Sequence, residues 1–211
     1  MQKGLLSLCR NFYLFLLKIL KKPFSLSLFS KKYNISICKF FFGVTMTKTE
    51  DNLKDAFVSE SQANRRYIAY EKKAEQEGLK NISHAFRALA ESEGIQANLF
   101  LQTSGLVSDT MLNLLSAIAI ETNELSEKYP RFLRDAKTDN NETAATNFKF
   151  ASEVTKVNAN LLMRLIDELD KGEHKKRDFY VCSVCGNIEE TRPEEKCVVC
   201  KAMPSSFKQV M

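Results

Sequence analysis

Between residues 50 and 172, apolar side chains recur every three to four positions in four long stretches, each closed by a turn signal. This period predicts four amphipathic helices. The first runs from about Glu50 to Glu77 and stops at Gly78, with Leu53, Ala56, Phe57, Ala63, Tyr67 and Tyr70 on its stripe. The second runs from about Asn81 to Thr103 and stops near Gly105. Ile82, Ala85, Phe86, Leu89, Ala90, Ala97, Phe100 and Leu101 form its apolar face. The third opens on Ser108-Asp109 as a cap and continues to about Ala136, with Pro130 inside it as a kink. The fourth runs from about Asn141 to Lys171 and stops at Gly172. Helices of this length with short connections predict an up-down four-helix bundle. The pattern alone fits a plain bundle with no cofactor, so any chemistry has to come from particular residues.

Composition supports helices. Over 211 residues there are only 7 Gly and 4 Pro, few breakers for a chain of this length. A hydrophobic content of 44% and a charged content of 27% are globular values. Charge is uneven. Residues 1–49 hold nine Lys or Arg and no Asp or Glu, and the remaining 162 residues carry 22 basic against 26 acidic side chains. The pI near 8.8 therefore belongs to the N-terminal segment and is no argument for nucleic-acid binding by the folded part.

Residues 1–45 stand apart. Their apolar runs, Phe12–Leu17 and the pieces around 24–29 and 35–44, are interrupted by lysines. None reaches the roughly 18 apolar residues that would span a bilayer. Met46-Thr-Lys-Thr-Glu50-Asp51 looks like a start, with acids opening the first helix. The upstream stretch is expected to be either a mis-called start or a targeting segment, and to be dispensable for folding and redox chemistry.

Candidate chemistry lies first in the cysteines. Cys182-Ser-Val-Cys185-Gly186 and Cys197-Val-Val-Cys200 enclose eleven residues. Two such knuckles present four thiolates to one metal in tetrahedral geometry. Zinc would make a structural ribbon and iron an electron carrier, and spacing does not separate them. Thiolate metal sites also suit a reducing compartment better than a disulfide framework does, which points to the cytoplasm. So small a module has little core, and the metal supplies much of its stability.

The helices carry carboxylates on or beside apolar faces. Glu60 falls three positions after Phe57 and four after Ala56. Glu121 follows the apolar turn Ile118-Ala119-Ile120, with Glu124 three residues on. Residues three apart lie about 60° apart on a helix and can reach one metal pair. Of the two histidines, His84 reads as a surface or packing residue and His174 as a linker residue.

Together, Glu60-Ser-Gln-Ala on the first helix, Ala-Ile-x-Glu121-x-x-Glu124 with Tyr129-Pro130 on the third, and the trailing Tyr180-Val-Cys-x-x-Cys-Gly resemble rubrerythrin. The resemblance covers about residues 48–211. It implies a mainly α chain: a ferritin-like four-helix bundle over 46–172, a linker over 173–178 and a rubredoxin-like module over 179–211. It favours iron at Cys182, Cys185, Cys197 and Cys200, and places Glu60, Glu93, Glu121 and Glu124 at family iron-ligand positions.

The resemblance has departures. Where the family has two Glu-x-x-His-Ala motifs, this chain has Glu93 with Gln96, and Thr155 with Asn158. Both imidazoles and one carboxylate are replaced. Four glutamates still offer oxygen ligands to iron or another divalent cation, although with weaker or incomplete binding. Val198 also stands where the family often has proline after the third cysteine. The implied function is a non-haem iron redox protein. Electrons from an NAD(P)H-dependent reductase would pass through the iron–cysteine centre to a bundle metal that reduces hydrogen peroxide, in a homodimer. A second reading is a non-enzymatic electron-transfer or metal-binding protein whose di-iron site is degenerate.

Overall fold

The computed structural model describes residues 47–173 and 175–211. The expectations for residues 1–45 and for His174 lie outside the described residues.

Helix α1 spans Lys48–Gln76. Thr47 caps it in a capping box: its hydroxyl accepts from the Glu50 N–H, and the Glu50 carboxylate accepts from the Thr47 N–H at 2.8 Å. Gly78, at φ +75, turns the chain into α2, Lys80–Thr103. The two helices form a hairpin closed by small residues, Ala74, Ser83, Ala90 and Ala97, all buried. Tyr67, Tyr70 and Phe86 pack as an aromatic triplet with ring centroids 5.5 to 6.3 Å apart. Gly94 admits a close approach here: a Cβ on it would lie 3.0 Å from Asn64 Nδ2. That same amide donates to the Ala90 carbonyl at 2.7 Å and ties α1 to α2.

Among the described residues, 109–211 form a second compact body, as 47–108 belong to the first. Helix α3, Thr110–Asn123, starts at Asp109, whose carboxylate accepts from the Leu112 N–H at 3.0 Å. A π turn, Glu124–Lys128, leads into α4, Tyr129–Thr138, and α5 spans Glu142–Asp170. The irregularity expected at Pro130 falls just before it. Proline lacks an N–H and clashes with the carbonyl four residues back. The widened turn, in which the Tyr129 N–H bonds back to the Glu124 carbonyl, accommodates it at the start of α4. Ile118 of α3 and Ile166 of α5 are fully buried, with Leu112 and Leu115 on the same stripe as Ile118. Phe132 packs on Phe148, 5.3 Å between centroids, to hold α4 on α5.

After α5 comes a three-stranded antiparallel sheet in the order β2-β1-β3: β1 Phe179–Cys182, β2 Ile188–Glu189, β3 Phe207–Val210. Cys182 pairs with Phe207 across β1 and β3. Long helices followed by this small cysteine-bearing sheet are the mainly α fold class expected from the sequence. No helix among the described residues is long and apolar enough to cross a membrane.

Candidate functional site

The four cysteines come together. All four Sγ atoms lie within 4.8 Å of one another, with Cys182 to Cys200 at 3.7 Å and Cys185 to Cys197 at 3.6 Å. A tetrahedral metal with bonds of about 2.3 Å to sulfur needs sulfur–sulfur edges of about 3.8 Å. The spacing fits such a metal and does not fit a disulfide, whose sulfurs are about 2 Å apart.

The two knuckles repeat each other. The Gly186 N–H bonds to the Cys182 carbonyl at 2.8 Å, as Lys201 does to Cys197 at 2.9 Å. The Cys182 N–H bonds to the Asn187 carbonyl at 2.9 Å, as Cys197 does to Ala202 at 2.8 Å. Both turns need a left-handed residue after the second cysteine, Gly186 at φ +85 and Lys201 at φ +62. This fold directs backbone N–H groups at sulfur. Burial pushes the Cys182 thiol up, but N–H donors from Cys185 and Val184 outweigh it and hold the group below its ordinary value. Burial raises Cys185 against an N–H from Asn187, and raises Cys200 against one from Ala202. Bound cation would complete the stabilisation of all four thiolates. Cys182 and Cys197 are 1% exposed, whereas Cys185 and Cys200 are only half-buried. Val184 and Val198 stand exposed beside them.

The carboxylates form two separate sets. In the first body, Glu93 hydrogen-bonds to Glu60, which raises its carboxyl above the ordinary range, and burial and the Glu60 charge act in the same direction. Gln96 Nε2 reaches Glu93 Oε2 at 3.5 Å, the long limit of a hydrogen bond. In the second body, Glu121 is raised by burial, against hydrogen bonds from Asn158 and Thr155 and with the Glu124 charge adding to the rise. Asn158 Nδ2 donates to Glu121 Oε1 at 3.2 Å, and Thr155 is 4% exposed. Glu124 makes an ion pair with Lys128 at 2.7 Å. Tyr129 is raised by burial and then by Glu124, against a hydrogen bond with Thr155. Among the described residues, neither body by itself gathers three carboxylates within mutual metal reach. Glu153 and His84 are exposed.

The sequence therefore located the four cysteines of the cluster, but it did not reveal Lys128, Thr155 and Asn158 as partners of Glu124 and Glu121. The i, i+4 spacing of Glu124 and Lys128 was the available signal for the first. Nothing in the sequence predicts which helix face meets Asn158.

The second body also ties its sheet to α5. Arg177 Nη1 donates to Glu168 Oε2 at 2.8 Å and a second guanidinium nitrogen donates to Glu168 Oε1, while Arg177 Nε faces Glu190 Oε2 at 2.8 Å. Arg164 also pairs with Glu190.

Comparison with known proteins gives a consistent picture. A family model described as Rubrerythrin matches residues 51–105. Rubrerythrin-1 of Clostridium acetobutylicum is 31% identical over 187 residues, covering 78% of this chain and 95% of that protein. Nigerythrin of Nitratidesulfovibrio vulgaris is 30% identical, covering 75% of this chain and 85% of its own length. A solved structure of nigerythrin in a partially reduced state aligns over 79% of this chain and 88% of that one, at 27% identity and a TM-score of 0.47.

Proposed function

Because the chain belongs to the rubrerythrin family of non-haem iron redox proteins, we propose that it is an electron-transferring oxidoreductase working through iron held by Cys182, Cys185, Cys197 and Cys200. The mutual spacing of the four Sγ atoms carries this reading. Iron at this centre supplies one-electron chemistry. The protein supplies the rest. Cys182 and Cys197 anchor the site from inside, and the N–H groups of Val184, Cys185, Asn187 and Ala202 spread the thiolate charge. Half-buried Cys185 and Cys200, beside Val184 and Val198, give a partner protein a short apolar approach to sulfur. The electron donor is an NAD(P)H-dependent reductase, the chain works as a homodimer, and the setting is cytoplasmic.

The finer reading is peroxide reduction in the helical bundle, with Glu60, Glu93, Glu121 and Glu124 as metal ligands. Reducing one hydrogen peroxide to two waters takes two electrons and two protons, hence two turnovers of a one-electron centre. The second reading, an electron carrier with a degenerate bundle site, is favoured by the hydrogen bond from Asn158 to Glu121 at the position where the family has an imidazole. Stopped-flow mixing of the reduced, iron-loaded protein with hydrogen peroxide tests both. Rapid reoxidation of the ferrous tetrathiolate to its coloured ferric form, with stoichiometric peroxide loss, supports the peroxidase. Slow reoxidation with rapid electron exchange to an acceptor protein supports the carrier. A colourless protein holding only zinc sinks both.

A further inference from the structure

We infer that in the second body protein donors stand in for the metal, so that Glu121 and Glu124 are satisfied by Asn158, Thr155 and Lys128 rather than by a divalent cation. The inference rests on the family reading of Glu121 and Glu124 as ligand positions and goes beyond the loss of histidines to what replaces them.

Each replacement acts in the same sense. The amide of Asn158 turns its N–H toward Glu121, at 3.2 Å. Toward a cation it would have to present oxygen, because an amide nitrogen has no lone pair to give. Facing a carboxylate, donation is the only favourable orientation, since oxygen against oxygen would repel. The Asn158 oxygen is buried without a partner among the described residues, so the orientation costs desolvation and is held by the bond to Glu121. Thr155, where the family has a carboxylate, brings a hydroxyl that bonds Glu121 and Tyr129 and removes one negative charge. A hydroxyl is a weak ligand for iron and a good donor to a carboxylate.

Lys128 completes the exchange. Its ammonium lies 2.7 Å from Glu124 Oε1, a distance typical of a charge-assisted bond. Glu124 and Lys128 are the two ends of the π turn, so the widened turn places them one above the other. The pair is partly exposed, 43% for the lysine and 22% for the glutamate, so it contributes little to stability. Its consequence is local: an ammonium already occupies one of the two Glu124 oxygens, and a metal bound through both oxygens would have to displace it. The carboxylates of this body carry two negative charges and Lys128 returns one. This body's own ligand positions therefore offer a divalent cation a net charge of only −1.

Manganese titration of the full-length, iron–thiolate-loaded protein, followed by the electron paramagnetic resonance of free Mn²⁺, tests this with no reference to activity. The expected result is an undiminished free signal at equimolar metal, and about one iron per chain by elemental analysis. Lys128→Met with Thr155→Glu and Asn158→His should then take up Mn²⁺, with the free signal falling several-fold. Uptake of one or more Mn²⁺ per chain by the unmodified protein, unchanged by Lys128→Met, overturns the inference. Should the triple variant not fold, the titration of the unmodified protein decides by itself. Absence of the ferric-thiolate colour would instead defeat the family redox reading, and it leaves the manganese result standing as a separate answer.

Discussion

Two left-handed residues, Gly186 and Lys201, close the two knuckles with the same hydrogen bonds but at unequal cost. An L-residue in this region is strained by roughly 1–2 kcal/mol, and glycine is not. Space is not the issue at Gly186, since a Cβ there meets nothing within 4 Å. Gly186→Ala should therefore destabilise the module by about 1 kcal/mol through backbone strain alone. The check is the rate of iron loss to a chelator, which should rise while the visible spectrum of the loaded protein stays unchanged. Replacing Cys182 is a harsher change. Cys182→Ser should abolish the ferric-thiolate absorption and leave the far-ultraviolet helical signal intact, because the helices draw on Ile118, Ile166 and the aromatic clusters and not on the metal. A large loss of helix in that variant would contradict the separation. At this scale the cysteine site was legible in the sequence because its geometry is local: each knuckle needs two cysteines two residues apart and a turn residue after them. The partners of Glu121 were not legible, because Asn158 lies 37 residues away on another helix and its contact depends on helix rotation.

Between elements, the α1–α2 hairpin hinges on a single missing side chain. Gly94 lies inside α2, where glycine costs up to about 1 kcal/mol against alanine. Its hydrogen leaves room for Asn64, which bridges to the Ala90 carbonyl at 2.7 Å. A methyl at Gly94 would meet the Asn64 amide at 3.0 Å, too close for a normal contact. Gly94→Ala therefore gains helix propensity and strains or breaks a hydrogen bond worth a similar amount, about 1 kcal/mol. Alone it should leave the denaturation midpoint nearly unchanged. In an Asn64→Ala background the same substitution should stabilise by about 1 kcal/mol, since only the propensity gain remains. A double-mutant cycle in urea measures the coupling; additive single effects would show that Asn64 and Gly94 are not linked. The helices themselves were readable from period and caps, with Thr47, Asp109 and Asn141 all capping as their residue types predict. The π turn was not, because proline signals a break without saying how the preceding turn absorbs it.

Across the second body, the metal module is joined to α5 by charge as well as by chain. Arg177 lies just before β1 and grips Glu168 of α5 with two nitrogens while its third faces Glu190 of the module. Its hydrogen bond holds the Glu168 carboxyl below the ordinary value of 4.5, against a smaller upward push from burial, and the Arg177 charge adds to the lowering. The sign of the pH dependence follows from linkage. A carboxyl whose value is lowered by folding contributes stability that is fully present above its unfolded value and is lost as pH falls through the folded one. The clamp should therefore be complete at neutral pH and should open below about pH 4.5. The pair is mostly covered, with 13% of the Glu168 side chain and 19% of the Arg177 side chain exposed, so salt should weaken it only modestly. In Arg177→Gln the guanidinium is gone at every pH. Amide hydrogen exchange over residues 175–190, measured on the metal-loaded protein, should be faster in this variant than in the unmodified chain at pH 7. The two should converge as pH is lowered past the ordinary glutamate range, because the unmodified chain then loses the same contact by protonation of Glu168. High salt at pH 7 should narrow the gap only slightly, because the pair is mostly covered. Equal exchange at pH 7, or a gap that widens toward acid, would mean that the chain connection and the Arg164–Glu190 pair hold the module against α5 without Arg177.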